Sequence, residues 1–227
     1  MRYFILCVMA VLAFGNAFEN SAFEKQCKDF IIKSYQEQYK DLHFTYSALS
    51  LSPTLHIDIT DAKILNLEIQ KGALQRNSGN LIALIQKNNT QISYPIAYTI
   101  NASIEVLRAT MLIKSNQNIT AANAKIQTIP IENLKGIPLA PKYLNQISAK
   151  SIISAHTIIF VSKTQSKILI KKGEMFAGVL WQDSIHVQTD LQALENGAQG
   201  QIIKALNPHS KKTLRVRVIG EQKAEIL

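Results

Sequence analysis

The period of the apolar residues changes once along this chain, and that change limits the folds open to it. Over residues 20–39 apolar side chains recur three and four apart. Phe23, Cys27, Phe30 and Ile31 fall on one stripe, with Glu24, Lys25, Lys28, Asp29 and Lys33 between them, as in an amphipathic helix. Beyond Tyr39 the period falls to two. In "TLHIDIT" Leu55, Ile57 and Ile59 alternate with His56 and Asp58, and in "KILNLEIQ" Leu65, Leu67 and Ile69 alternate with Asn66 and Glu68. Such alternation predicts half-buried strands. "NLIALIQ" and "YPIAYTINASIEVL" continue the pattern, and "QRNSGN" and "QKNNTQ" are polar turns between strands. Further short strands are predicted over 106–113, 125–129, 158–161, 167–170, 184–189, 201–206 and 213–219. They are punctuated by Pro130, Pro138, Pro141, Gly173, Gly178, Gly197, Gly200 and Pro208. Only "APKYLNQISAK" reads as a second, short helix. The expected class is therefore mainly β (α+β): one helix packed on strands, then a domain of short strands.

The first residues are of another kind. "MRYFILCVMAVLAFGNA" has one charge, Arg2, then an apolar run to Phe14, then small residues up to Ala17. This order is that of a cleavable export signal, and the run is too short to span a bilayer. Removal of residues 1–17 would leave no stable membrane insertion and would take Cys7 away, so Cys27 would be the single remaining thiol. An odd cysteine in an exported chain is either a core residue or an intermolecular link; its place on the helical stripe argues for the core. An apolar share of 47% excludes wholesale disorder, and a net charge of +9 calls for an anionic partner without naming it.

Motifs of chemistry are missing. The chain has no G-x-S-x-G, no Gly-Lys-Ser/Thr in "KKGEMFAGVL", and five histidines too dispersed for a local metal pair. The prediction is no catalytic residue, no cofactor and no metal. One weak repeat is present: "IKSNQNI" and "ISAHTII" share I-x-x-[N/H]-x-x-I, with Asn116 and His156 at their centres. Both residue types tolerate a left-handed backbone, which suggests two similar turns, each leading into a strand.

The stretch "GAQGQIIKALNPHSKKTLRVRVIG" is the most informative. Asn207-Pro208-His209-Ser210 is turn chemistry. Leu214, Val216 and Val218 point to one face of the following strand, Arg215 and Arg217 to the other. A hairpin follows, with a basic outer face of Lys204, Lys211, Lys212, Arg215 and Arg217. No aromatic ring except His209 interleaves these charges, so a nucleic-acid platform is not expected. A solvated face is the plainer reading, and a surface for a protein partner, such as an acidic patch, stays open.

This hairpin resembles the C-terminal signature of the FlgA family, periplasmic chaperones for flagellar P-ring assembly: G-x-x-G-D-x-I-x-V-x-N-x-x-S, then a strand, a glycine and a last apolar strand. Gly197, Gly200, Ile203, Asn207 and Ser210 stand at the matching positions, and Val218, Gly220 and "AEIL" continue it. Gln201 replaces an Asp and Ala205 a Val. Upstream, "SYPIAYTI" is similar to the family's aromatic-Pro-Val strand. "IKSNQNITAANAKIQTIPI" is similar to its I-x-x-G-x-x-I-T-x-x-D segment, with Asn116 at the Gly and Asn123 at the Asp. His156 stands at the Gly of a second such turn. The resemblance implies a signal at 1–17, a helix-plus-strand domain over 18–103 and a SAF (β-clip) domain over 104–227. It implies a periplasmic assembly factor, not an enzyme, whose partner is the flagellar P-ring protein. Self-association stays open. The alternatives are a pilus-assembly SAF protein and a peptidoglycan- or carbohydrate-binding module.

Overall fold

The computed structural model describes residues 22–55, 59, 61–70, 72–182 and 185–227, with only the backbone of Gln182, Ile185 and His186. The export segment 1–17, His56 and the His186 side chain lie outside the described residues. The chain divides into two compact units. One comprises residues up to Gln38 with 46–101, and the other comprises 39–45 with 102–227.

In the first unit, helix α1 (Ala22–Gln38) lays Phe23, Cys27, Ile31 and Tyr35 on a sheet. Glu24 in its first turn complements the positive helix end and pairs with Lys28 one turn on at 2.6 Å. Phe23 meets Tyr94 edge-on at 6.0 Å, and Tyr35 meets Tyr98 at 6.4 Å. The Tyr35 hydroxyl donates to the Arg76 carbonyl at 2.5 Å, so its polar end is satisfied inside the core. The sheet order is β1 (Phe44–Pro53), β4 (Thr90–Ala109), β3 (Ser78–Lys87), β2 (Lys63–Ile69). β3 and β4 are joined by Asn88 and Asn89, both at positive φ, the backbone a two-residue hairpin needs.

Several expectations are corrected here. Thr54 and Leu55 form a bend rather than a strand; the strand precedes them as β1, whose Ser-, Ala- and Thr-rich sequence hides its alternation. Leu65 is exposed because β2 slips register between Ile64 and Asn66, and the bulge turns it outward. Residues 106–113 are no separate strand: the twenty-residue β4 runs through to Ala109.

In the second unit the end of β4 pairs with β5 (Ala124–Pro130). Residues 140–150 are not a helix. A single 3-10 turn at Pro141–Tyr143 leads into β6 (Ile147–Ala149), because Pro141 suits a first turn and the segment then supplies β-pairing. β6 pairs with β7 (Thr164–Ser166), and residues 158–161 make only isolated bridges. β8 (Ile168–Ile170) pairs with β11 (Gly197–Ala198). A closed five-stranded barrel follows: β10 (Ile185–Ala193), β12 (Ile202–Leu206), β13 (Thr213–Gly220), β14 (Lys223–Ile226) and β9 (Met175–Gln182). Phe176, Leu191, Ile203, Val216 and Val218 fill it. A second core, built on Leu107, Ile113, Ile119, Leu139, Ile153 and Ile159, lies under the turns between β4 and β7.

Candidate functional site

The two repeated turns are held together by reciprocal hydrogen bonds. Ile113 and Ile153 exchange N–H···O bonds of 2.9 and 3.0 Å. The Asn116 N–H donates to the Ala149 carbonyl at 2.8 Å, and His156 N–H donates to Ala109 at 2.9 Å. Ile119 N–H reaches Ile147, and Ile159 N–H reaches Leu107, at 3.0 and 2.9 Å. Each bond in one turn thus has its counterpart forty positions on, so the two segments are related by a local two-fold. Asn116 has φ 63° and His156 φ 60°. A β-branched residue there would be strained. Asn116 Oδ1 also accepts from Gln165 Nε2 at 2.8 Å, which ties the first turn to β7.

A buried polar link joins these turns to β8. Ser148 Oγ donates to Asn118 Oδ1 and accepts from the Ile168 N–H at 2.8 Å; Asn118 Nδ2 donates to the Ile168 carbonyl at 3.1 Å. Asn123 closes the first turn, its Oδ1 accepting from Thr120 N–H and its Nδ2 donating to the Asn118 carbonyl, both at 2.9 Å. Sequence reasoning placed Asn123 by resemblance only and missed Asn118 and Ser148, whose partners are remote in the chain. Each group being satisfied, the link positions the turns rather than binding a ligand.

The C-terminal hairpin has the following geometry. A Cβ on Gly197 would stand 2.6 Å from Val218 Cγ2 and 3.2 Å from Ile203 Cδ1, while Gly200 has φ 76° and open space. Gln201 Oε1 accepts from the Ala198 N–H at 2.9 Å, so an acceptor closes this turn although an amide replaces the family's carboxylate. Asn207 Oδ1 accepts from the N–H groups of His209 and Ser210 at 2.9 and 3.1 Å; Ser210 takes part through its backbone. Lys211 carries the left-handed backbone, φ 59°. In the last turn positive φ falls on Gln222, φ 51°, and not on Gly220.

Lys204 lies opposite Arg215, and Ile202 opposite Arg217. Arg215, Arg217 and Lys204 are exposed, as are Lys211 and Lys212 in the turn. The face is only partly unneutralised, since Arg217 reaches Glu225 at 3.3 Å. Val216 and Val218 are buried opposite, and Leu214 is half-buried. Among the described residues no group of three or more His, Cys, Asp and Glu is placed to hold a metal, and no helix is long and apolar enough to cross a membrane.

The barrel, the paired turns and the closing hairpin define a mainly β class of protein, with one N-terminal helix ahead of a strand-rich domain. Residues 104–226 match the family described as a chaperone for flagella basal body P-ring formation, and the chain belongs to that family. It is similar to the flagella basal body P-ring formation protein FlgA of Aquifex aeolicus (strain VF5), 28% identical over 139 residues, which is 61% of this chain and 61% of that protein. The match thus spans under two thirds of the relative. The fold is similar to the crystal structure of Salmonella FlgA in open form (TM-score 0.56, 12% identity, 87% of this chain and 91% of that one). It is also similar to flagellar protein FlgA from Thermotoga maritima MSB8 (TM-score 0.51, 14% identity, 89% and 72%).

Proposed function

We propose that this protein is exported to the periplasm, binds the subunit of the flagellar P-ring and assists its assembly around the rod. The observation that carries the reading is the family match over 104–226, which takes in both repeated turns and the whole barrel. The Arg2–apolar–Ala17 order supports export. In this reading the turns form a SAF-type β-clip, and no step of chemistry is required of the chain. The exposed Lys204, Lys211, Lys212, Arg215 and Arg217 attract an acidic patch on the ring subunit, which sets encounter rate more than affinity. Residues 18–227 mixed with purified P-ring protein of the same organism test the reading by sedimentation velocity. A complex sedimenting faster than either component is expected; two unchanged boundaries at micromolar concentration contradict it.

A further inference from the structure

The whole chain holds 25 Lys and Arg against 16 Asp and Glu. Of these, ten basic residues and one carboxylate, Glu132, fall within residues 106–173, so fifteen of each sign remain elsewhere. The entire net charge of +9 therefore resides in the paired-turn segment. Within that segment Lys142 and Lys167 pair with Asp41 and Glu221 on other segments, and Lys171 with Glu174 three residues on. No ion pair among the described residues engages Lys114, Lys150 or Lys163, and all three are exposed.

The same surface exposes large apolar side chains. Leu112 is 51% exposed, its counterpart across the local two-fold, Ile152, is 61% exposed, and Met111 is beside them. The antiparallel Ile113–Ile153 bridge sets Lys114 opposite Ile152. From there backbone contacts lead in one direction. Ser115 Oγ donates to the Lys150 carbonyl at 3.0 Å, and Lys150 N–H donates to the Lys163 carbonyl at 2.8 Å. Two residues from Lys163, the exposed Val161 donates its N–H to the carbonyl of exposed Ile137 at 3.0 Å. Apolar side chains at one end, three lysines in the middle and apolar side chains at the other end thus follow one another along a line of hydrogen-bonded segments.

We infer that this stripe, from Leu112 and Ile152 past Lys150 and Lys163 to Val161, is a docking surface for an extended protein segment with acidic side chains in its middle and apolar side chains at both ends. Charge complementarity selects the acid: a segment with net +9 repels cations, and three unpaired lysines leave carboxylates as their counterparts. Exposed apolar side chains rimmed by charge have the composition of a contact patch. The linear arrangement selects an extended chain over a lipid surface, because a bilayer favours apolar side chains gathered on one insertion face with cations behind them. The inference rests on the proposed function in one respect: the ring subunit is taken as the carrier of that segment. The stripe is separate from the basic face of the hairpin, which carries charge chiefly for encounter.

Two probes test it: the purified P-ring protein and a twelve-residue peptide with Val residues at both ends and Asp residues in its middle. Residues 18–227 carrying a photo-crosslinking amino acid at Leu112, Ile152 or Val161 should crosslink to the ring protein, whereas the same group at Gln188 on the barrel should not. K114E/K150E/K163E should keep the wild-type melting temperature and raise Kd for both probes at least tenfold at low salt, with the gap narrowing at high salt. L112S/I152S should raise Kd by a factor that salt leaves unchanged. Ring protein that binds wild type but crosslinks only from Gln188 overturns the stripe and leaves the proposed function standing. Peptide binding with no ring-protein binding overturns the proposed function and upholds the stripe. Failure of both probes, or wild-type binding to vesicles of one-third anionic lipid that the triple variant loses, overturns the stripe.

Discussion

Gly197 and Gly200 show how two residues of one motif answer to different forces. Gly197 has an ordinary backbone but no room: its Cβ would meet Val218 and Ile203 within the barrel core. Gly200 has room but a left-handed φ. Gly197→Ala should therefore cost about 1–3 kcal/mol by overpacking, and Val218→Ala in the same chain should return part of that loss. Gly200→Ala should cost about 1–2 kcal/mol through backbone strain alone, and no change at Val218 should rescue it. Chemical denaturation of the single and double variants checks both. Cys27 is fully buried, and burial, with the nearby Glu24 carboxylate second, pushes its thiol up to about 12. It should resist a disulfide reagent at pH 8 in the native protein and react within seconds in guanidinium. Rapid native labelling would contradict its place in the core.

Among the elements, the segment 39–45 belongs with the second unit although it precedes the first unit's strands. Asp41 is tied to Lys142 at 2.5 Å. That hydrogen bond holds the Asp41 carboxyl below its ordinary 3.8 and the Lys142 ammonium above its ordinary 10.5. A lowered carboxyl pKa stabilises the fold above 3.8 and is lost as pH falls past it; a raised ammonium pKa stabilises below 10.5 and is lost as pH rises past it. Wild type should thus exceed D41N in melting temperature by a small, constant margin between these values, and the margin should close at either extreme. A margin independent of pH down to 2 would show that the pair contributes nothing. The elements also show what a sequence reveals. β12 and β13 were legible because Ile203, Val216 and Val218 alternate strictly with charges. β9 was not: "MFAGVLWQ" is nearly all apolar, and Gly178 reads as a breaker although it gives Leu191 the space to close the barrel. The turns at Asn116 and His156 were legible locally. Their mutual hydrogen bonds and the Asn118–Ser148 link were not, because no local rule pairs residues so far apart in the chain.

At the scale of the whole molecule the charge is unevenly placed along the sequence, with the whole excess within residues 106–173. The hairpin face presents Arg215 and Arg217 outward from a barrel whose core is on the opposite side of the strand. R215E/R217E should leave the melting temperature nearly unchanged and slow association with the ring subunit at low salt, with little effect at high salt. Unfolding of the variant would place these arginines in the fold's support instead. The central claim, that the protein assists P-ring assembly, is met most directly in the cell. Basal bodies purified from a strain lacking this chain should show rods without P-rings under electron microscopy, in non-motile cells whose flagellar export is intact. Basal bodies with P-rings at wild-type frequency would contradict the account.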